Sequence, residues 1–208
     1  MLQKISSAVE NGKIKEIEAI VSEALDSGIS AGDILAAMTK TMEDVGEKFQ
    51  RNEVFVPEML VSALTMKKAV AVLKPHFVDG KTASLGKLVI GTVSGDMHDI
   101  GKNLVALMME SAGFEVIDLG VDVSPEQFVQ AVRENPECKI VGLSSLLTTA
   151  MDAMAETVAA IKAAGFGSQV KIMVGGAPIT AEFAEKIGAD AYTADAGAAA
   201  VKAKELIA

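Results

Sequence analysis

The chain has 208 residues, half of them hydrophobic, a net charge of −9 and a single cysteine, Cys138. That length holds one large domain or two small ones, and a lone cysteine excludes an internal disulfide, an iron–sulfur cluster and a cysteine-rich zinc site. An acidic chain with one tyrosine and no tryptophan lacks the basic patches and stacking surfaces that nucleic acid needs, and no run reaches the ~18 uninterrupted apolar residues of a membrane span.

Residues 1–80 read as helix throughout. Leu2, Ile5 and Val9 recur at helical spacing, then Ile14, Ile17, Ile20, Val21 and Leu25, with Gly28 placed to end that helix. A third helix starts near Ser30 and carries Ile34, Leu35, Met38, Met42, Val45 and Phe49. A fourth opens at Pro57 and runs through Leu60, Leu64 and Val70 until Pro75 stops it. Met1 to Ser7 reach Glu10 without an apolar core, so no signal peptide is expected and the expected location is the cytoplasm. Four amphipathic helices with short connections make a bundle. The polar, glycine-containing stretch 79–86 reads as the connection between two domains, giving a bundle over 1–80, a linker over 81–87 and a second domain over 88–208.

From Lys87 onward short apolar runs alternate with helical patterns. Strands are expected over Leu88–Val93, Phe114–Leu119, Lys139–Leu143, Val170–Val174 and Ala191–Thr193. Helices are expected from about Gly101 to Ser111, Ser124 to Glu134, Thr148 to Ala164, Thr180 to Ile187 and Ala196 to Ile207. Five β-α units imply a parallel sheet covered on both faces, and 2-1-3-4-5 is the commonest order for five. That order makes strands 1, 3 and 4 neighbours. The break between strands 1 and 3 is where such sheets bind ligands.

Three loops leave those three strands. The first is Asp96-Met97-His98-Asp99-Ile100-Gly101, the second Ser144-Ser145-Leu146 and the third Gly175-Gly176. A loop histidine beyond a strand presents an imidazole nitrogen to a metal centre, and Asp96, two residues earlier, is placed to accept the other ring N–H. Gly101 lets the next helix begin close to the sheet. A glycine pair lets backbone approach a bulky ligand, and a surface loop is expected to tolerate a side chain at Gly176. Read alone, Asp96 is more readily a helix cap, and the glycine pair is as readily a plain turn.

Together the three loops resemble the D-x-H-x-x-G … S-x-L … G-G pattern of the cobalamin-binding domain of corrinoid methyltransferase proteins. The resemblance implies a four-helix cap domain followed by a Rossmann-like, flavodoxin-type five-stranded sheet. It implies cobalamin with its benzimidazole displaced and His98 as the lower axial cobalt ligand. Asp96, Met97, Asp99, Ile100 and Gly101 would surround that ligand; Ser144, Leu146, Thr148, Gly175, Gly176 and Tyr192 would border the nucleotide tail. Phe55, Met59 and Leu60 would cap the upper face of the corrin, although packing within the bundle explains them equally. In related proteins, notably methionine synthase, a serine a few residues beyond S-x-L completes an Asp–His relay. Here that position is Ala150, so the relay is either incomplete or completed by Thr148 or Thr149.

The same resemblance implies a carrier of methyl groups rather than a stand-alone catalyst. A substrate-specific methyltransferase would load it, a second methyltransferase acting on coenzyme M, tetrahydrofolate or a similar acceptor would unload it, and a reductive activator would restore the corrinoid. The alternative is the small cobalamin-binding subunit of an adenosylcobalamin-dependent mutase, although such subunits usually lack a helical bundle ahead of the sheet. Other occupants of this architecture fit poorly. A receiver domain needs an Asp where Ser144 ends strand 3, and a flavodoxin needs a Ser/Thr-rich loop where Met97 and His98 follow strand 1. Neither the methyl donor nor the final acceptor is legible.

Overall fold

The computed structural model describes residues 1–76 and 84–208. The chain divides into two units, Met1–Ser84 together with Glu110–Gly113, and Leu85–Met109 together with Phe114–Ala208. Of the stretch expected as a linker, residues 81–83 lie outside the described residues, 84–86 carry no regular structure, and Lys87 already belongs to the first strand.

The first unit holds α1 (Leu2–Glu10), α2 (Ile17–Asp26), α3 (Ala31–Gln50) and α4 (Val56–Leu73). Ser30 sets the start of α3: its Oγ accepts the Asp33 N–H at 3.0 Å, satisfying one of the donors that a helix start leaves open. Pro57 sits in the first turn of α4, where its missing N–H costs nothing, and the helix ends at Leu73, two residues before Pro75. The apolar stripes converge on a core of Ile5, Val9, Ile17, Val21, Ile34, Met38, Met59, Met66 and Leu73, all essentially inaccessible. Each such side chain contributes about 1.5–3 kcal/mol by leaving water.

The second unit alternates strictly: β1 (Lys87–Thr92), α5 (Ile100–Ser111), β2 (Glu115–Asp118), α6 (Pro125–Glu134), β3 (Cys138–Ser144), α7 (Met151–Ala163), β4 (Lys171–Gly175), α8 (Ala181–Ile187), β5 (Ala191–Tyr192) and α9 (Ala196–Ile207). All strand pairs are parallel and the order is β2-β1-β3-β4-β5, as the sequence predicts. Most strand ends move by a residue. The larger changes are at Ile14, which lies in a turn ahead of α2 rather than within it, and at Thr148–Ala150, which form a 3-10 turn ahead of α7 rather than its first turn.

Central strands of such a sheet are buried on both faces. Leu88, Val89 and Ile90 of β1 and Ile140, Val141 and Leu143 of β3 are accordingly almost fully covered. The register matters most for function. Thr92 pairs with Ser144, and Ser144 pairs with Gly175, so the three marked loops leave the sheet side by side at one level.

Candidate functional site

The first loop turns immediately after β1. The Asp96 N–H donates back to the Val93 carbonyl at 3.2 Å, and the Thr92 hydroxyl reaches forward to the His98 carbonyl at 2.8 Å. These bonds fold 93–98 over the strand end and turn the Asp96 side chain inward, where it is fully buried.

A buried carboxylate is costly unless its lone pairs are filled, and here both oxygens are. Oδ1 accepts the His98 backbone N–H at 2.9 Å and lies 2.7 Å from His98 Nδ1. Oδ2 accepts the Ser145 hydroxyl at 2.9 Å, the Leu146 N–H at 2.6 Å and the Leu147 N–H at 3.1 Å. Burial pushes the carboxyl toward its neutral form. The bonds from the His98 and Leu146 backbone N–H groups, the His98 ring and the Ser145 hydroxyl outweigh burial and hold it well below the usual carboxylate range.

An ionised carboxylate only accepts, so in the neutral imidazole the contact with Asp96 places the ring proton of His98 on Nδ1 and leaves the lone pair on Nε2. The imidazole is half exposed, 52% against 0% for the Asp96 side chain. Apolar side chains stand out around it: Met97 on the same loop is 69% exposed, Ile100 at the start of α5 is 84%, and Leu146, whose N–H binds Asp96, is 47%. A nitrogen ligand among exposed apolar groups suits an ion already held in a large, mostly apolar macrocycle. Among the described residues no three His, Cys, Asp or Glu side chains gather to hold a metal by themselves.

The other expected residues differ in their surroundings. Asp99 is exposed and its Oδ2 accepts from Asn103 at 3.1 Å. Around Gly101 a Cβ would meet nothing within 4 Å, so close packing on the sheet is not what this glycine serves. Ser144 ends β3 half-buried, and its carbonyl accepts the Val93 N–H at 3.0 Å. Thr148 and Thr149 are both exposed; the hydroxyl that reaches Asp96 belongs to Ser145, so neither threonine takes the expected relay position. Tyr192 is half-buried against the sheet core. In the other unit Met59 is buried while Phe55 and Leu60 are 64% and 38% exposed.

Gly176 differs from its expected tolerance. At φ +127° a Cβ here would fall 1.7 Å from the Ser145 carbonyl oxygen and 2.7 Å from its carbon. The backbone that approaches Gly176 is the chain's own second loop, so the fold itself demands this glycine.

Two buried polar groups, one at the site and one on α5 beside β2, carry no mark in the sequence. Ser145 sits in the middle of S-x-L, a position its pattern leaves open. Lys102 in the first turn of α5 is buried, pairs with Asp118 and donates to Asn103 Oδ1 at 2.6 Å. No spacing rule marks a buried lysine on a helix; only the register of β2 beside β1 reveals it.

Comparison with known proteins adds independent findings. A B12 binding domain family matches residues 86–203, and a second B12 binding domain family matches residues 1–74. The chain is 40% identical over 208 residues to dimethylamine corrinoid protein 2 of Methanosarcina acetivorans, covering all of this chain and 96% of that one. Its structure is similar to a cobalamin-binding protein from Desulfitobacterium hafniense, with a TM-score of 0.85, 33% identity and coverage of 99% and 98%. It is also similar to a chain of the methanol:cobalamin methyltransferase complex MtaBC of Methanosarcina barkeri, with a TM-score of 0.83, 25% identity and coverage of 98% and 78%.

Proposed function

This chain belongs to the corrinoid carrier proteins of methyltransferase systems, built on B12 binding domains, and we propose that it shuttles a methyl group between two methyltransferases on a cobalamin held by His98. The observation that carries the reading is the half-exposed His98 imidazole, whose Nδ1 is engaged by the buried carboxylate of Asp96, so that Nε2 is the nitrogen left to ligate. When bound, the corrinoid supplies the cobalt that takes up and gives up the methyl group.

The chain's own residues bind, orient and shield. His98 would ligate the cobalt through Nε2, and Asp96 would fix its tautomer and raise its basicity. The backbone N–H groups of His98 and Leu146, the His98 ring and the Ser145 hydroxyl keep Asp96 ionised. Met97, Ile100 and the open space beside Gly101 receive the apolar corrin face. Ser144, Leu146, Thr148, Gly175, Gly176 and Tyr192 border the nucleotide tail. Within the helical unit Phe55 and Leu60 would be available to cover a bound corrin, whereas Met59 is buried in the core of that unit.

The first partner is a substrate-specific methyltransferase, as the likeness to a chain of a methyltransferase complex supports. The second passes the methyl to coenzyme M, tetrahydrofolate or a similar acceptor, and a reductive activator restores the corrinoid after oxidation. All work in the cytoplasm; among the described residues no helix is long and apolar enough to cross a membrane. A methylated amine is the first donor to test, given the dimethylamine corrinoid relative.

The test pairs the cobalamin-loaded full chain with methyltransferases for dimethylamine, methanol and methoxylated aromatics and follows the visible spectrum of the corrinoid. One donor system should produce a donor-dependent spectral change that is lost in His98→Ala. A chain that binds no cobalamin sinks the reading.

A further inference from the structure

We infer that Asp122, in the turn between β2 and α6, is a positioning residue for His98; the inference rests on the reading of His98 as the axial ligand. Asp122 Oδ1 accepts the Gly95 N–H at 2.7 Å and the Ser94 hydroxyl at 3.2 Å. Its own N–H donates to the Asp96 carbonyl at 3.0 Å. Three bonds from one residue therefore grip Ser94, Gly95 and Asp96, the residues just ahead of Met97 and His98.

The backbone of Asp122 is unusual. It holds φ +53°, the left-handed region, and among the described residues only Asn52 is another non-glycine there. That conformation costs about 1–2 kcal/mol for an L-residue, least for Asp and Asn, and it brings the N–H and the carboxylate to the same side to face the loop. Strain of this kind persists where surrounding structure imposes it. Here the neighbouring backbone imposes it: the Val123 N–H donates to the Thr92 carbonyl at 2.9 Å and the Thr92 N–H to the Gly120 carbonyl at 3.0 Å. The turn is thus fixed to the end of β1, and Asp122 fixes the loop to the turn.

The grip lies at the surface, since Gly95 and Asp122 are both exposed. Water can satisfy Ser94 and Gly95 if the carboxylate is removed, so the fold loses little. What is lost is the fixed path of 94–96. That path sets where the Asp96 carboxylate and the imidazole bonded to it stand, and a ligand geometry held loosely binds its metal poorly.

Two substitutions test the acceptor without adding backbone strain. Asp122→Asn keeps an acceptor and tolerates left-handed backbone, whereas Asp122→Gly relaxes the backbone and deletes the acceptor. The full chain, uniformly labelled with 15N, is loaded with cobalamin and reduced to Co(II), and electron paramagnetic resonance reads the axial nitrogen. A protein nitrogen then splits the signal as a doublet, distinct from the triplet of the cofactor's own unlabelled base.

Wild type and Asp122→Asn should show the doublet alike. Asp122→Gly should shift the balance from protein nitrogen toward other axial states by about tenfold, while its cofactor-free melting temperature stays within about 4 °C of wild type. A full doublet in Asp122→Gly, beside its loss in His98→Ala, overturns the positioning role and leaves the axial reading intact. A doublet that survives in His98→Ala overturns the axial reading, and this inference with it. Collapse of the fold in Asp122→Gly makes Asp122 a folding residue and also overturns the inference.

Discussion

Ser145 Oγ lies 2.9 Å from Asp96 Oδ2, on the carboxylate oxygen opposite the one that holds His98. The two residues are 49 positions apart in sequence and both are buried. In a two-sided arrangement of this kind one oxygen serves the imidazole and the other anchors the carboxylate to the second loop. Ser145→Ala removes one donor and leaves the Leu146 and Leu147 amides in place. A loss of about 1–2 kcal/mol is expected, seen as a lower urea midpoint for the cofactor-free chain, with cobalamin binding retained. A variant as stable as wild type would mean that the two amides suffice.

Asp96→Asn has a larger effect because an amide NH2 would face donors on one side or the other. About 3 kcal/mol should be lost near neutral pH. The folded carboxyl is held below its ordinary range, so below that range the unfolded chain binds more protons than the folded one. Asp96 therefore contributes fully above about pH 4, and its contribution fades as the pH falls toward the lower native value. Urea unfolding of wild type and Asp96→Asn at pH 7 and pH 3 should show the gap narrowing in acid. A gap of equal size at both would refute the ionised assignment.

Gly176 and Gly95 both hold positive φ, yet their substitutions should diverge. A Cβ on Gly95 meets nothing within 4 Å, so Gly95→Ala is expected to cost about 1 kcal/mol of backbone strain. Gly176→Val must displace the Ser145 backbone, and a loss above about 3 kcal/mol is expected. Because Ser145 moves with it, the cofactor-free melting temperature and cobalamin affinity should fall together. A stable Gly176→Val chain that merely fails to bind would restore the simpler view of the glycine as a ligand clearance.

On α4, Met59 is buried, while Phe55, four residues earlier and just ahead of the helix, is exposed, 0% against 64%. Met59→Ala should cost about 2–5 kcal/mol through the cavity it leaves. Phe55→Ser should change stability by no more than about 0.5 kcal/mol. If Phe55 caps the corrin, the same variant should let the reduced cofactor oxidise faster in air. An unchanged oxidation rate would remove Phe55 from the cap.

Much of the fold is legible in the sequence because the signals are local. Hydrophobic period separates residues 1–80 from the rest, and alternation of runs gives the strand order through general rules of handedness. The Asp96–His98 bond is also local, since a spacing of two in a tight loop brings the groups together. Ser145, Lys102 and Asp122 stay hidden for one shared reason: each acts across strands. Ser145 is defined by the pairing of Thr92 with Ser144, Lys102 by the position of Asp118 at the end of β2, and Asp122 by a turn that meets the loop after β1. The demand on Gly176 is hidden likewise, because its near neighbour is another loop of the same chain and not the solvent a surface turn suggests.

The carboxylate of Asp96 ties the loop after β1 to amides 50 and 51 residues away. The protons of Leu146 and Leu147 thus have no such acceptor until β1 and β3 lie together, a contact formed across a long closed loop. In heavy water they should exchange only when that central strand pair opens, at rates near those of the slowest core amides. The bond from His98 to Oδ1 is local to the first loop, but the carboxylate that receives it is anchored on both oxygens only once the middle of the sheet has closed.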